Sequence, residues 1–338
     1  MHPREVLFVF RKPNKGNFSI EKVYNTILEV LQRRNESIFN FNKVTLQKNY
    51  DLKRFLSNFF KSFFYRKRIV HITGGCNYMV MAFPFSVSVL TIHDMYHYKT
   101  KGGLKGALYD WFFYDLPLAF ANAIVVVSEQ TEKEVQHHFP QTKSKISVLH
   151  NPLVIPDKAV EQRRRNFNRK DTIQILQIGD KPLKNYGRLL EATKDKNVLY
   201  HFVHADGGVK VRPLLKKYGL EDRANIYSDL EDEAFFELYK KCDVLFFASE
   251  AEGFGLPIIE AQAYGMPVIT SDLPPMSTVG KGAILVDPYS ISSIREGFEK
   301  LYDEKVMASH KENADINFQR YSKNAIGEEY YKFYEDLA

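Results

Sequence analysis

The sequence predicts an α/β protein made of two doubly wound domains, each a parallel sheet with helices on both faces. Three observations predict this class. The chain has 338 residues, too many for one ordinary core, and at roughly 150 residues per domain the length suggests two. Short β-branched runs alternate with helical periodicity along the whole chain, the pattern of βαβ units. These runs form two successive series, separated by a segment with no sustained apolar period.

The first series of strand candidates is 6–10 (VLFVF), 43–47, 68–73, 87–93, 123–128 and 145–150. The second is 172–179, 198–205, 224–228, 243–249, 267–271 and 283–287. Between them, 151–171 carries Pro152, Pro156 and the basic cluster Arg163, Arg164, Arg165, Arg169 and Lys170, and reads as a solvated linker. The expected layout is an N-terminal Rossmann-like domain (1–151), a linker (152–171), a C-terminal Rossmann-like domain (172–318) and a terminal helix (319–338) with aromatic anchors, placed so that it can cross back to the first domain. The uncharged stretch 74–92 is interrupted by Asn77, Pro84, Ser86, Ser88 and Thr91, so a loop, a short helix and a buried strand are expected there rather than a membrane span.

Hydrophobic residues at 44% and charged residues at 26% exclude disordered, collagenous and membrane-spanning classes. The apolar run Val6 to Phe10 is shorter than the core of a signal peptide and reads as a strand. Cys76 and Cys242 lie far apart, which suggests neither a disulfide framework nor a zinc site and fits a reducing cytoplasm. Segment 51–68, DLKRFLSNFFKSFFYRKR, places Leu52, Phe55, Leu56, Phe59, Phe60, Phe63 and Phe64 on one helical stripe. Its other face carries Lys53, Arg54, Lys61, Arg66, Lys67 and Arg68. Two readings fit: a helix packed on the first sheet with its basic face in water, or peripheral contact with an anionic membrane on its cytoplasmic side, each basic residue adding about 1 kcal/mol. The net charge of +6 agrees with the second.

The most informative stretch is 250–270, EAEGFGLPIIEAQAYGMPVIT, where a buried strand runs into a helix through a turn that is almost bare of side chains. Gly253 and Gly255 permit backbone angles and close approach that a Cβ forbids, and Pro257 suits the first helical position. Such a helix turns its unpaired N–H groups toward the carboxyl end of a parallel sheet, a place for an anion. Glu252 in the loop and Glu260 one turn into the helix flank it, and carboxylates accept hydroxyl hydrogen bonds well. A ligand with phosphate in the middle and polyol at both ends, such as a sugar nucleotide, suits this arrangement. The competing reading makes Glu260 a complement to the helix dipole and Glu252 a solvated loop acid.

EGFGLPIIEAQAYGMPVITSD resembles the signature of retaining glycosyltransferases of family 4 (glycosyl transferases group 1), whose fold is the two-domain GT-B type with a cleft between the domains. Other segments resemble the family in order: ILQIGDKPLKNYGRLLEA at 175–192, TIHDMYHY at 91–98, AIVVVSEQTEKEV at 123–135 and VLHNPL at 148–153. The resemblance implies that Glu260 binds the donor ribose, that Glu252 binds the transferred sugar, and that backbone N–H groups near Gly253, Phe254, Gly255 and Leu256 meet the diphosphate and sugar. Lys184 is implied as the cation on the diphosphate. Asp180 stands where the family often has an arginine, which makes Lys181 a candidate replacement. His93 is implied near the reacting centre, and Gly16 and Asn17 occupy the slot of the family's donor-side glycine pair. His71, His97, His137, His138, His201 and His204 read as structural.

The implied chemistry is transfer of a hexosyl group from a UDP- or GDP-linked sugar to a hydroxyl of a glycan or glycolipid, with retention, in surface polysaccharide or glycolipid synthesis. No Asp-x-Asp metal clamp occurs, so no cofactor or metal is expected, and no nucleic-acid partner. Two rivals remain: a sugar-nucleotide epimerase on the same scaffold, and a non-catalytic partner subunit that binds membrane or nucleic acid. Intact Lys184, Glu252 and Glu260 count against the second.

Overall fold

The computed structural model describes residues 4–12, 19–34, 37–46, 52–62, 68–100, 102–156 and 172–338. Each strand candidate overlaps an observed strand. The first sheet contains β1 (Arg4–Phe10), β2 (Phe39–Thr45), β3 (Ile69–Ile72), β4 (Val87–Ile92), β5 (Ala123–Val126) and β6 (Ile146–Val148). The second contains β7 (Ile173–Ile178), β8 (Val198–Val203), β9 (Ala224–Tyr227), β10 (Val244–Phe247), β11 (Val268–Ser271) and β12 (Ile284–Val286). All pairings are parallel, in the orders β2-β1-β3-β4-β5-β6 and β12-β11-β10-β7-β8-β9.

The interior strands β3, β5, β10 and β11 are buried along their whole length, as parallel strands covered on both faces must be. β5 and β10 are accordingly continuous apolar runs, whereas β3 admits the buried His71 and β11 ends in the buried Thr270 and Ser271. β2 lies at an edge and alternates, with Phe39 and Phe41 buried and Asn40 exposed. It therefore starts four residues earlier than the expected 43–47.

The chain divides into one unit of Met1–Pro152 with Lys323–Ala338 and another of Leu153–Ser322. The helix Lys323–Leu337 packs on the helix Ser19–Gln32 of the first unit, and Gly327 makes that approach possible: a Cβ there would lie 2.4 Å from Val30 Cγ1. Tyr330 and Tyr334 are fully buried, with Tyr334 set among Phe8, Phe39 and Phe41. In the second unit, Asn317 fastens the helix Glu304–Gln319 by donating to Gln262 Oε1 (2.8 Å) and the Val279 carbonyl (2.7 Å).

The uncharged stretch holds the short 3-10 helix Asn77–Ala82 and then β4. Within 51–68 the helix is Leu52–Ser62. Arg68, expected on its basic face, instead precedes β3 and pairs with Glu5 at 2.7 Å. Phe63, Phe64, Arg66 and Lys67 lie outside the described residues, as does most of the expected linker. Among the described residues no helix is long and apolar enough to cross a membrane.

Candidate active site

In an open α/β sheet, ligands bind beyond the carboxyl ends of the strands where the strand order reverses. In the second sheet those strands are β7 and β10. The chain leaving β7 passes through the 3-10 turn Pro182–Lys184 into the helix Tyr186–Thr193, while the chain leaving β10 passes through Glu252 into the helix Leu256–Ala263. Lys184 Nζ and Glu252 Oε1 meet at 2.5 Å between these two segments.

Several contacts fix that meeting. A Cβ on Gly179 would lie 2.9 Å from Lys184 Cε, so glycine lets the lysine stem fold back over the turn after β7. Asn185 is buried in left-handed backbone (φ 62°), uncommon for a residue with a Cβ. Its amide donates to the carbonyls of Ala248 (3.0 Å) and Pro288 (2.6 Å), and the Glu250 N–H donates to the Leu183 carbonyl (2.9 Å). The lysine segment is thereby stitched to the end of β10. Lys184 Nζ also lies 4.8 Å from the centre of the Phe247 ring, within cation–π range.

The helix Leu256–Ala263 begins at Gly255, in left-handed backbone (φ 106°), with no side chain capping it. Pro257 occupies the second helical position, one later than expected, and Leu256 the first. An eight-residue helix that starts without a cap leaves N–H groups and partial positive charge for an anion. Phe254 is a buried anchor, its ring edge-on to Tyr321 at 5.5 Å, so its side chain is turned away from a ligand. Glu260 is buried and accepts a hydrogen bond from the Tyr239 hydroxyl at 2.6 Å. Burial first, and then the Glu260 charge, push the Tyr239 pKa well above its ordinary value, so Tyr239 stays a donor. Asp180 accepts from the Asp206 N–H (3.0 Å) and ties the turn after β7 to a neighbouring loop. Lys181 beside it is exposed.

In the first sheet the order reverses between β1 and β3. Arg11 follows β1, Thr73, Gly74 and Gly75 follow β3, and His93, expected as the last residue of the strand 87–93, stands one residue past the end of β4. Gly74 (φ 101°) and Gly75 (φ 70°) form a surface on which two side chains lie. A Cβ would come 2.5 Å from His93 Cδ2 at the first and 2.7 Å from Arg11 Cδ at the second. His93 Nε2 faces the Thr73 carbonyl at 2.8 Å. A carbonyl only accepts, so Nε2 carries the proton and Nδ1 is the acceptor of the neutral ring. Burial, the largest influence, lowers the His93 pKa and favours that neutral form. Arg11 grips Glu21 with two bonds, Nε to Oε1 at 2.7 Å and Nη2 to Oε2 at 3.3 Å.

Behind His93 lies a buried polar network. His71 Nδ1 meets the Tyr334 hydroxyl (2.6 Å) and Nε2 meets Thr91 Oγ1 (2.7 Å), while Tyr24 contacts Thr91 Oγ1 (2.5 Å) and the Tyr330 hydroxyl (3.3 Å). Burial lowers the His71 pKa to about 3. His201 and His204 are also buried, bonded to Gln174 and Gln177 respectively. His201 lies on β8, whereas His204 falls just beyond that strand's end. Among the described residues, no group of three or more His, Cys, Asp or Glu side chains is placed to hold a metal.

Residues 11–154 match the family described as Glycosyltransferase Family 4, and residues 159–321 match Glycosyl transferases group 1. The chain is a group 1 glycosyltransferase of the GT-B type. This glycosyltransferase is 24% identical over 205 residues to the O-antigen chain mannosyltransferase RfbU of Salmonella typhimurium, a match that covers 59% of the chain and 56% of the relative. It is 30% identical over 128 residues to the serotype-specific mannosyltransferase WbdA of Escherichia coli, covering 37% of the chain and 16% of the relative. The matches thus span about half of one relative and about a sixth of the other. Among solved structures it resembles Anabaena HepE in complex with UDP and glucose, with TM-score 0.71, 15% identity, and 98% and 100% of the two chains covered. It also resembles WaaG, a glycosyltransferase involved in lipopolysaccharide biosynthesis, with TM-score 0.70, 15% identity, and 97% and 99% covered. At that identity the likeness is one of fold.

Of the expected site residues, Lys184, Glu252, Gly253, Phe254, Gly255, Leu256 and Glu260 gather at the reversal point of the glycosyltransferase's second sheet, with Lys181 on the adjoining turn. His93 stands at the carboxyl end of the first sheet. Gly16 and Asn17 lie outside the described residues. Sequence reasoning missed Arg11, Glu21, Gly74, Gly75 and Tyr239 as site components. The Gly-Gly dipeptide directly after a buried strand was a usable signal, whereas nothing local distinguishes Tyr239 from other helix tyrosines.

Proposed function

We propose that this glycosyltransferase moves a hexosyl group from a nucleotide-diphospho-sugar, UDP- or GDP-linked, to a hydroxyl of a glycan or glycolipid, with retention of configuration and without a metal ion. The observation that carries the reading is the pairing of Lys184 with Glu252 beside an uncapped helix N-terminus, with Glu260 held one turn further on. A diphosphate suits the lysine and the helix N–H groups, and hydroxyls on either side suit the two carboxylates. The names of RfbU and WbdA favour a mannosyl group and a surface polysaccharide product. The HepE complex with UDP-glucose supports a nucleoside diphosphate as the carrier.

The roles follow from the chemistry of each group. Lys184 and the N–H groups near Gly253, Phe254, Gly255 and Leu256 neutralise the departing diphosphate. Glu252 holds the transferred sugar and Glu260 the ribose. His93, neutral with Nδ1 as acceptor, takes a sugar hydroxyl. The acceptor hydroxyl attacks the anomeric carbon on the face from which the diphosphate leaves, and the departing oxygen receives its proton. Lys181 adds a second cation, and Gly16 with Asn17 completes the donor side. No cofactor enters. The basic aromatic helix Leu52–Ser62 is our candidate for peripheral contact with an anionic membrane carrying the acceptor.

Thermal-shift titration with UDP, GDP and ADP, followed by donor hydrolysis, tests this. One diphosphate is expected to stabilise the protein. Lys184→Ala is expected to lower turnover by about 10²-fold or more with the fold retained, and Glu260→Ala to weaken diphosphate binding. A protein that binds none of the three and cleaves no sugar nucleotide would sink the reading.

A further inference from the structure

We propose that the exposed apolar face of segment 103–120 is a second docking surface for an anionic lipid bilayer, acting beside the helix Leu52–Ser62. The proposal rests on the transferase reading with a membrane-borne acceptor and names the lipid-facing residues of the first unit. The segment is one helical run: Gly103–Asp110, a π-helical turn Trp111–Asp115, and Leu116–Phe120. Gly106, Asp110, Tyr114, Pro117 and Leu118 point inward. Leu104 (77% exposed), Leu108 (55%) and Trp111 (50%) form one outward stripe at i, i+4 and i+7, and Phe120 (57%) is exposed at the segment's end.

That face is the reverse of an ordinary surface helix, which turns charge outward. Lys105 is the sole charged residue among the exposed positions of 103–120. Both acids are engaged locally: Asp110 Oδ2 accepts the Lys99 N–H (3.1 Å), and Asp115 Oδ1 accepts the Tyr98 hydroxyl (3.0 Å). The helix Leu52–Ser62 flanks the same 3-10 helix, since Phe55 and Phe112 both stack on Tyr78, at 6.3 and 5.6 Å. It exposes Leu56 (48%), Phe59 (39%) and Phe60 (70%), with Lys53 also exposed.

Charge selects the occupant. Residues 1–152 and 323–338 contain 23 Lys and Arg against 15 Asp and Glu, a balance of +8, whereas 153–322 contain 24 against 26, a balance of −2. The excess positive charge sits on the unit that bears both apolar stripes. A negatively charged bilayer complements that combination: leucine, tryptophan and phenylalanine enter the interface while lysines stay at headgroup level. A second copy of the same basic unit would instead be repelled.

Trp111 is the chain's single tryptophan, so its emission reads this face directly. The full chain is mixed with vesicles of phosphatidylglycerol and phosphatidylethanolamine, or with phosphatidylcholine alone. With the anionic vesicles, Trp111 emission is expected to move to the blue and to be quenched by brominated acyl chains. The double variant Leu104→Glu/Leu108→Glu is expected to bind anionic vesicles about tenfold or more weakly, while lipid-free donor hydrolysis and circular dichroism stay unchanged. Phe59→Glu/Phe60→Glu serves as the comparison on the other helix. Three outcomes overturn the proposal: Trp111 emission unmoved although the protein sediments with vesicles, no sedimentation at all, or a blue shift that appears without lipid as the protein dimerises. Loss of donor hydrolysis in the unmodified chain would instead defeat the transferase reading and leave the vesicle result standing.

Discussion

Lys184 and Glu252 neutralise one another across 2.5 Å, at the place where the proposed reaction asks each to hold a different part of the donor. A diphosphate must then compete with Glu252 for the lysine. Removing the carboxylate charge should separate binding from turnover: Glu252→Gln is expected to bind nucleoside diphosphate at least as tightly as the unmodified chain while losing about 10²-fold or more in turnover. Equilibrium titration beside single-turnover kinetics decides it, and a parallel loss of both would mean that the glutamate only holds the loop. Tyr239 offers a second test. It donates to a buried carboxylate, a bond worth about 1.5–3 kcal/mol. Tyr239→Phe should therefore destabilise the second unit by that order in urea titration and weaken diphosphate binding by about tenfold if Glu260 loses its orientation.

The helix Lys323–Leu337 and strands β3 and β4 share the network of His71, Thr91, Tyr24, Tyr330 and Tyr334, and that sharing gives the first unit a pH dependence. His71 has a folded pKa of about 3 against about 6.5 unfolded. Between those values the unfolded chain binds the extra proton, so stability is full above about pH 6.5 and falls as the pH drops toward about 3. His201, lowered to about 4 chiefly by burial, has the same sign in the second unit. The urea midpoint is expected to fall between pH 7.5 and pH 5, and His71→Gln should flatten the first unit's share of that change. Nothing of this network was visible in the sequence, because one histidine and four scattered hydroxyls carry no period. The strands were visible for the opposite reason: residues such as Val244 to Phe247 are buried on both faces and leave an unbroken apolar run. β2 was placed late because an edge strand alternates, and the π-helical turn Trp111–Asp115 has no pattern distinct from an α-helix. The loop between β10 and the helix Leu256–Ala263 was legible because glycine, proline and acids are all constrained there at once. The Arg11–Glu21 pair was not, since its two halves are contributed by a strand end and a helix start that only folding brings together.

At the scale of the whole molecule, the first unit is discontinuous in sequence and the second is not. Ile326, Tyr330, Tyr331, Phe333 and Tyr334 are buried in the first unit. Deleting 323–338 is expected to abolish that unit's cooperative unfolding while the second unit keeps its diphosphate-dependent thermal shift. Calorimetry of the truncated chain checks this, since a single surviving transition, still moved by the diphosphate, is the expected result. The same layout sets an order of events during synthesis. A ribosome delivers β1 to β6 before the second unit, yet the aromatic helix that covers Phe8, Phe39 and Phe41 arrives after it. Residues 153–322 emerge complete in between and can fold as they appear. The first unit therefore begins before the second yet is completed after it, and its aromatic face stays uncovered while residues 153–322 are being made.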